Sequence, residues 1–225
     1  MDVKTEIQSV SESLSLNSLI KCPICGTKQI KTIAGDFELL YCQNCGLYSK
    51  DEKTFLNPID EFKRYDQHSS IGDEHYKSFM NEFVLTAVFP FVNQGIAIDY
   101  GAGKTGVIKS ILEASGFKCE SYDPYFDKDK STLNQTYDLL VSTEVVEHFQ
   151  AIMLEWKKMV DLVKPNGFIA IMTQFAKEDL GNWWYLRDQT HYHFYQQRTF
   201  DYIAKTLGLS VVLNDGKTKV VFQKK

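Results

Sequence analysis

Four of the five cysteines stand in two pairs, Cys22-Pro-Ile-Cys25-Gly and Cys42-Gln-Asn-Cys45-Gly, with sixteen residues between the pairs. Thiolates at that spacing converge on one tetrahedral Zn²⁺, and the glycine after each pair eases the tight turn. Between them, Lys28 to Ile33 and Asp36 to Tyr41 read as two short strands joined near Ala34-Gly35. That is the plan of a zinc ribbon; a disulfide or a redox pair is the blander alternative. Four thiolates leave no coordination position open, so the zinc is expected to be structural. It would fold about thirty residues that cannot bury a core alone. Cys119 stands apart in an apolar run and reads as a core residue.

A second group is the loop Asp99-Tyr-Gly101-Ala-Gly103-Lys-Thr-Gly106, which follows the apolar run Ile96 to Tyr100. Glycines directly after a strand let the backbone approach a ligand where a Cβ would clash. A phosphate-binding P-loop requires a glycine where this chain has Ile98, and Lys104-Thr105 does not replace it. A dinucleotide site accounts for Asp123 after the next strand, but not for an acid two residues ahead of the first glycine. As turn formers alone, the glycines and Asp123-Pro124 need no ligand.

The third group is Thr143-Glu144-Val-Val-Glu147-His148, together with Asp188-Gln-Thr-His191-Tyr-His193-Phe-Tyr195. An imidazole can take a proton from an acidified oxygen near neutral pH, so His191, His193 and His148 are candidate catalytic bases. Glu144 and Glu147 could orient His148. Two histidines one residue apart with a nearby carboxylate also form a metal-binding pattern. The aromatic run Asn182-Trp183-Trp184-Tyr185-Leu186-Arg187 reads as a substrate wall, with the Trp pair as ordinary core the bland alternative.

The elements that must position these groups follow from the apolar pattern. A helix is expected from about Asp73 to Val88, ended by Pro90, after a polar stretch, KRYDQHSSIG, that could border a pocket. Strands are expected at Ile96–Tyr100, Phe117–Tyr122, Tyr137–Ser142 and Phe168–Met172. Helices fall between them at Val107–Ala114 and about Phe149–Val163. This alternation predicts an α/β fold with a doubly wound, mostly parallel sheet. A helix at Thr199–Leu207 then leads to strands Ser210–Asn214 and Lys219–Phe222, turned by Asp215-Gly216, which is an antiparallel C-terminal hairpin. Thirteen residues between Asp123 and Tyr137 are too few for a helix and a further strand. One strand is therefore expected to be lacking after Asp123, with that segment looping near the ligand.

At 225 residues, 44% hydrophobic and 24% charged, the chain can hold one α/β domain and a small appendage. The expected division is a flexible leader at 1–19, a zinc ribbon at 20–56 and the main domain at 57–225. No apolar run is long enough to cross a bilayer, and the polar leader is not a secretory signal, so a cytoplasmic protein without membrane partners is expected. A net charge of −4, with six lysines against eight acids in residues 1–60, makes nucleic acid an unlikely partner. The ribbon is expected to pack on the main domain and to cover its substrate side.

Over about residues 60–225 the sequence resembles the class I S-adenosylmethionine-dependent methyltransferases. In that family an acid at the end of the first strand precedes a G-x-G loop, and an acid ends the second strand. Here these are Asp99, Gly101, Gly103 and Asp123. Tyr137 to Phe149 is similar to the family's fourth-strand motif, with the Glu-His pair of small-molecule members. Leu162-Val-Lys-Pro165-Asn-Gly167-Phe168 is similar to the turn that follows. The resemblance implies that Asp99, Gly101, Gly103, Gly106, Asp123, Pro124, Thr143 and Glu144 hold S-adenosylmethionine. In it, Asp123 accepts from the ribose hydroxyls and Asp99 shapes the loop near the methionine moiety. The family often has its third glycine where Thr105 stands, so the loop path here differs. The reaction implied is methyl transfer to a small molecule, a sugar or secondary metabolite among the options. The alternatives are an RNA methyltransferase reading through its ribbon, and a non-catalytic cofactor-binding protein. Neither the acceptor atom nor the oligomeric state follows from these residues.

Overall fold

The period-two apolar runs do form strands, and their carboxyl ends converge on one edge of a six-stranded sheet. The computed structural model describes residues 20–67, 74–177 and 179–225. The expected leader at 1–19 and part of the polar stretch before the first long helix lie outside the described residues. In chain order the elements are β1 (Ile30–Ala34), β2 (Phe37–Tyr41), β3 (Tyr48–Ser49), α1 (Pro58–Gln67) and α2 (Glu74–Phe83). There follow β4 (Ile96–Tyr100), α3 (Val107–Ala114), β5 (Lys118–Tyr122), β6 (Tyr137–Thr143), α4 (Ile152–Asp161) and β7 (Val163–Met172). The chain closes with β8 (His193–Phe194), α5 (Gln197–Leu207), β9 (Leu209–Asn214) and β10 (Lys219–Lys224).

The large sheet runs β5-β4-β6-β7-β10-β9. The first four strands are mutually parallel, while β10 lies antiparallel to both β7 and β9. Asp123 to Tyr137 holds only a short 3₁₀ turn at Lys130–Asn134, so β5 is the edge and the expected strand is indeed lacking. Helices α2 and α3 bury Met80, Phe83, Ile108 and Leu112 on one face of the sheet. On the other face α4 and α5 bury Trp156, Met159, Phe200 and Ile203. Each fully buried Leu or Phe, such as Leu112 and Phe200, contributes about 1.5–3 kcal/mol.

Two local departures matter for the site. The helix expected from Phe149 begins only at Ile152, because Val146–His148 forms a separate 3₁₀ turn that swings His148 out of the helix. Glu144, just past β6, adopts φ 54, a left-handed conformation that non-glycine residues rarely hold. Its main-chain N–H is tied to the Met172 carbonyl at 2.8 Å, and the surrounding sheet end holds it there.

The ribbon forms as expected from its glycines. Gly26, Gly35 and Gly46 all take positive φ, and the amides of Gly26 and Gly46 close on the carbonyls of Cys22 and Cys42. It does not stand apart. Its strand β3 pairs with β8, Tyr48 opposite Phe194 and Ser49 opposite His193, completing a four-stranded sheet β1-β2-β3-β8. Ala34 and Leu39 pack with Leu180, Tyr185 and Phe194. A Cβ added at Gly35 would collide with the Gly181 carbonyl. The ribbon thus supports the 180–195 segment from behind.

Candidate active site

A cavity of about 890 Å³ opens at the carboxyl ends of β4, β5 and β6, where ligands of open parallel sheets bind. It is lined by Asp99, Gly101, Gly103, Thr105, Asp123, Pro124, Thr143 and Glu144 at one end, and by His148, Trp184, Tyr185 and His191 at the other.

At the first end, the amide of Gly101 donates to the Tyr122 carbonyl at 2.8 Å, which clamps the loop across β4 and β5. Gly101 has φ 84, and a Cβ there would run into Val145. Gly103 has φ 61 and nothing within 4 Å of where a Cβ would be, so it presents bare backbone to open space. Thr105 keeps an ordinary φ; the third left-handed position is Gly106, φ 55, which caps α3 outside the cavity lining. This is how the loop turns without a glycine at position 105.

Asp123 is 8% exposed. Its Oδ2 accepts from the Gly103 amide at 3.0 Å, and its Oδ1 from the amides of Tyr125 and Phe126 at 2.8 and 3.0 Å. One carboxylate therefore pins the glycine loop to the β5 exit and keeps lone-pair capacity toward the cavity. Asp99 is buried under the loop, and burial, aided by the Asp123 charge, pushes its carboxyl up to about 7. Helix α1 roofs this end through Glu61, which accepts from the hydroxyls of Tyr125 and Tyr192, the latter at 3.1 Å. Lys104 bridges the loop to Asp66 at 2.6 Å. Glu61 was not legible as a site residue: an acid in a polar helix shows no signal until its burial is known.

The second end is a polar knot. The Tyr185 hydroxyl contacts the carboxylates of Glu147 and Glu144 and the hydroxyl of Thr173. His148 Nδ1 faces the Thr190 carbonyl at 2.7 Å, and His191 Nδ1 faces the Tyr185 carbonyl at 2.9 Å. A carbonyl can only accept, so each imidazole carries a proton on Nδ1. The two rings meet edge to face at 4.7 Å. Burial lowers His148 to about 4, so it is neutral at pH 7. Asp188, held by Arg64 at 2.8 Å and by the amide and hydroxyl of Thr190, fixes the approach of His191.

The three candidate histidines are not brought together. His148 and His191 border the cavity, while His193 lies in the β8–β3 pairing with its Nδ1 3.1 Å from Ser49 Oγ and its ring against Phe55. It is 2% exposed, and burial lowers it to about 3. Two residues of strand spacing separate a cavity histidine from one that braces the ribbon. The Trp pair divides likewise: Trp184 is 61% exposed at the cavity rim, whereas Trp183 packs on Tyr185 and Phe194.

The four cysteines gather at one point, with Cys22, Cys42 and Cys45 buried. Their sulfurs lie within 4.8 Å of one another, with Cys22 to Cys45 at 3.5 Å and Cys25 to Cys42 at 3.4 Å. Those separations exceed a disulfide and approach the roughly 3.8 Å of thiolates around a tetrahedral ion with Zn–S near 2.3 Å. The donor set fits zinc.

Comparison with known proteins agrees with this geometry. A family described as a methyltransferase domain matches residues 73–214. No curated protein sequence matches. Among solved structures, the fold is similar to 1,6-didemethyltoxoflavin-N1-methyltransferase from Burkholderia thailandensis, with TM-score 0.56 and 12% identity over 88% of this chain and 100% of that one. It is also similar to a Pyrococcus horikoshii protein, with TM-score 0.51 and 14% identity over 74% and 99%. Mitomycin 7-O-methyltransferase gives TM-score 0.53 and 13% identity over 73% of this chain. The chain spans 60% of that enzyme and 61% of an O-methyltransferase family protein from Burkholderia thailandensis. With its glycine loop, its acids at two strand ends and a family match over most of its length, the chain belongs to the class I S-adenosylmethionine-dependent methyltransferases.

Proposed function

We propose that this protein methylates a small-molecule acceptor. The observation that carries the reading is the single cavity. It joins the bare backbone of the glycine loop to the His148–His191–Tyr185 knot, at a volume suited to a cofactor plus a modest acceptor. Two of the similar folds, by their names, act on a toxoflavin precursor and on mitomycin, which supports this class of acceptor. When bound, S-adenosylmethionine supplies an electrophilic methyl on a sulfonium sulfur. The chain's part is alignment, exclusion of water and handling of the acceptor's proton.

In this reading Gly101, Gly103, Asp99, Asp123, Pro124, Thr143 and Glu144 hold the cofactor, and Asp123 offers lone pairs to the ribose hydroxyls. Trp184 forms the acceptor's wall, and His148 and His191 receive or orient its proton. The four cysteines hold a structural zinc, a thiolate set suited to the reducing cytoplasm. A screen with methyl-labelled cofactor over small-molecule and RNA pools, alongside calorimetry with S-adenosylhomocysteine, tests this. Label is expected in the small-molecule pool; label in RNA alone would overturn the acceptor class.

A further inference from the structure

We propose that Glu147, His148 and His191 form a divalent-cation site at the acceptor end of the cavity. Their ligand atoms all lie within 4.8 Å of one another. Both imidazoles are turned by main-chain carbonyls on Nδ1, which leaves Nε2 as the atom each would offer a metal, the orientation in which histidines bind one.

The carboxylates are what demand a cation. Glu147 is wholly buried, and its Oε2 has no hydrogen-bond partner among the described residues; the same holds for Glu144 Oε1. Both acids contact the one hydroxyl of Tyr185, which has a single proton and can donate to only one of them. Two acids that share one hydroxyl proton, each with a second oxygen lacking a partner among the described residues, form a set rich in lone pairs. Left so, it carries a heavy desolvation cost. A divalent ion would supply a counter-charge. Two histidines and a carboxylate with the cavity on the open side is the donor set of first-row metal sites that keep a position for an exogenous ligand.

This deepens the function proposed above and rests on it. It makes His148 and His191 ligands instead of bases, and it names the acceptor class as a hydroxyl. The acceptor O–H, polarised by the cation, gives its proton to water at the cavity mouth. The oxygen–methyl bond forms as the sulfur–methyl bond breaks, and that electron pair returns to sulfur.

The test is titration of the zinc-loaded full chain with Mn²⁺, which thiolate sites do not favour, followed by the resonance of free Mn²⁺. S-Adenosylhomocysteine binding is measured on the same samples. One Mn²⁺ per chain is expected. Glu147→Gln should abolish binding, and Tyr185→Phe, which keeps all the ligands, should weaken it roughly tenfold. No uptake at millimolar Mn²⁺ would overturn the cation site, as would uptake that both variants leave unchanged. If the wild-type chain fails to bind S-adenosylhomocysteine, the methyltransfer reading falls; if it binds that but no Mn²⁺, only the cation site falls. Should Glu147→Gln not fold, the Tyr185→Phe affinity decides alone.

Discussion

The two ends of the cavity are built by opposite means. The end proposed for the cofactor comes from consecutive strand exits, with Asp99 to Gly106 after β4 and Asp123 to Phe126 after β5. Its hydrogen bonds start mostly from main-chain amides, three of them ending on the Asp123 carboxylate. The acceptor end is assembled from residues far apart in sequence. It includes the 3₁₀ turn with His148, the 183–191 segment and, behind both, a ribbon from the first quarter of the chain. One end depends on backbone shape and tolerates few exchanges. The other depends on side chains braced by the ribbon through the pairing of β3 with β8.

The comparison can be broken most severely at the brace. Cys42→Ser removes one of the four thiolates proposed to hold zinc, and because Leu39 packs with Tyr185, the loss should reach the proposed acceptor wall. A stability loss above about 4 kcal/mol is expected, on the scale of losing a structural metal. Thermal melting with zinc analysis would read it, and an unchanged melting temperature in zinc-free protein would refute the brace. At the other end, Asp123→Ala strips the acceptor from three amides. It should weaken S-adenosylhomocysteine at least about a hundredfold by calorimetry, from two or more charge-assisted bonds.

The histidine pair sharpens the contrast over three consecutive residues. His191→Ala should lower kcat by roughly a hundredfold with little change in melting. His193→Ala should cost about 1–3 kcal/mol of stability by removing the imidazole that Ser49 meets where β3 pairs with β8, while kcat holds. The reverse pattern would mean that the two histidines exchange roles.

A further effect is in pH dependence. The Asp99 carboxyl sits at about 7 when folded against an ordinary 3.8. Between those values the unfolded chain has already released its proton, so this group's share of stability is present below about 4 and is lost as pH rises through 7. Asp99→Asn should flatten the melting temperature across that window; a slope unchanged from wild type would assign it to other groups.

The cofactor end was legible because its chemistry is written contiguously. A strand, an acid and glycines in fixed order leave few folds available, and even the short span from Asp123 to Tyr137 announced the lacking strand. The four cysteines were legible for the same reason. The acceptor end was readable only as residue types. Period-two spacing puts His191 and His193 in one strip, and only the pairing of β8 with β3 decides that His193 faces Ser49. Glu61 and the Glu144–Tyr185–Glu147 knot join residues up to 131 positions apart, as in the Tyr192–Glu61 bond, and nothing local encodes such contacts.

The pairing of β3 with β8 also has a consequence in time. Ser49 and His193 are separated by 144 positions, so the four-stranded sheet cannot close until most of the chain is available. Contacts of such long range form late, after the local helices and the parallel sheet have paid the entropy of bringing the chain together. The cysteine knuckles can turn early, on their own glycines, but their strand waits. The acceptor wall is then the last part of the molecule to consolidate, and cofactor-competent but acceptor-incompetent protein is the intermediate to look for in refolding.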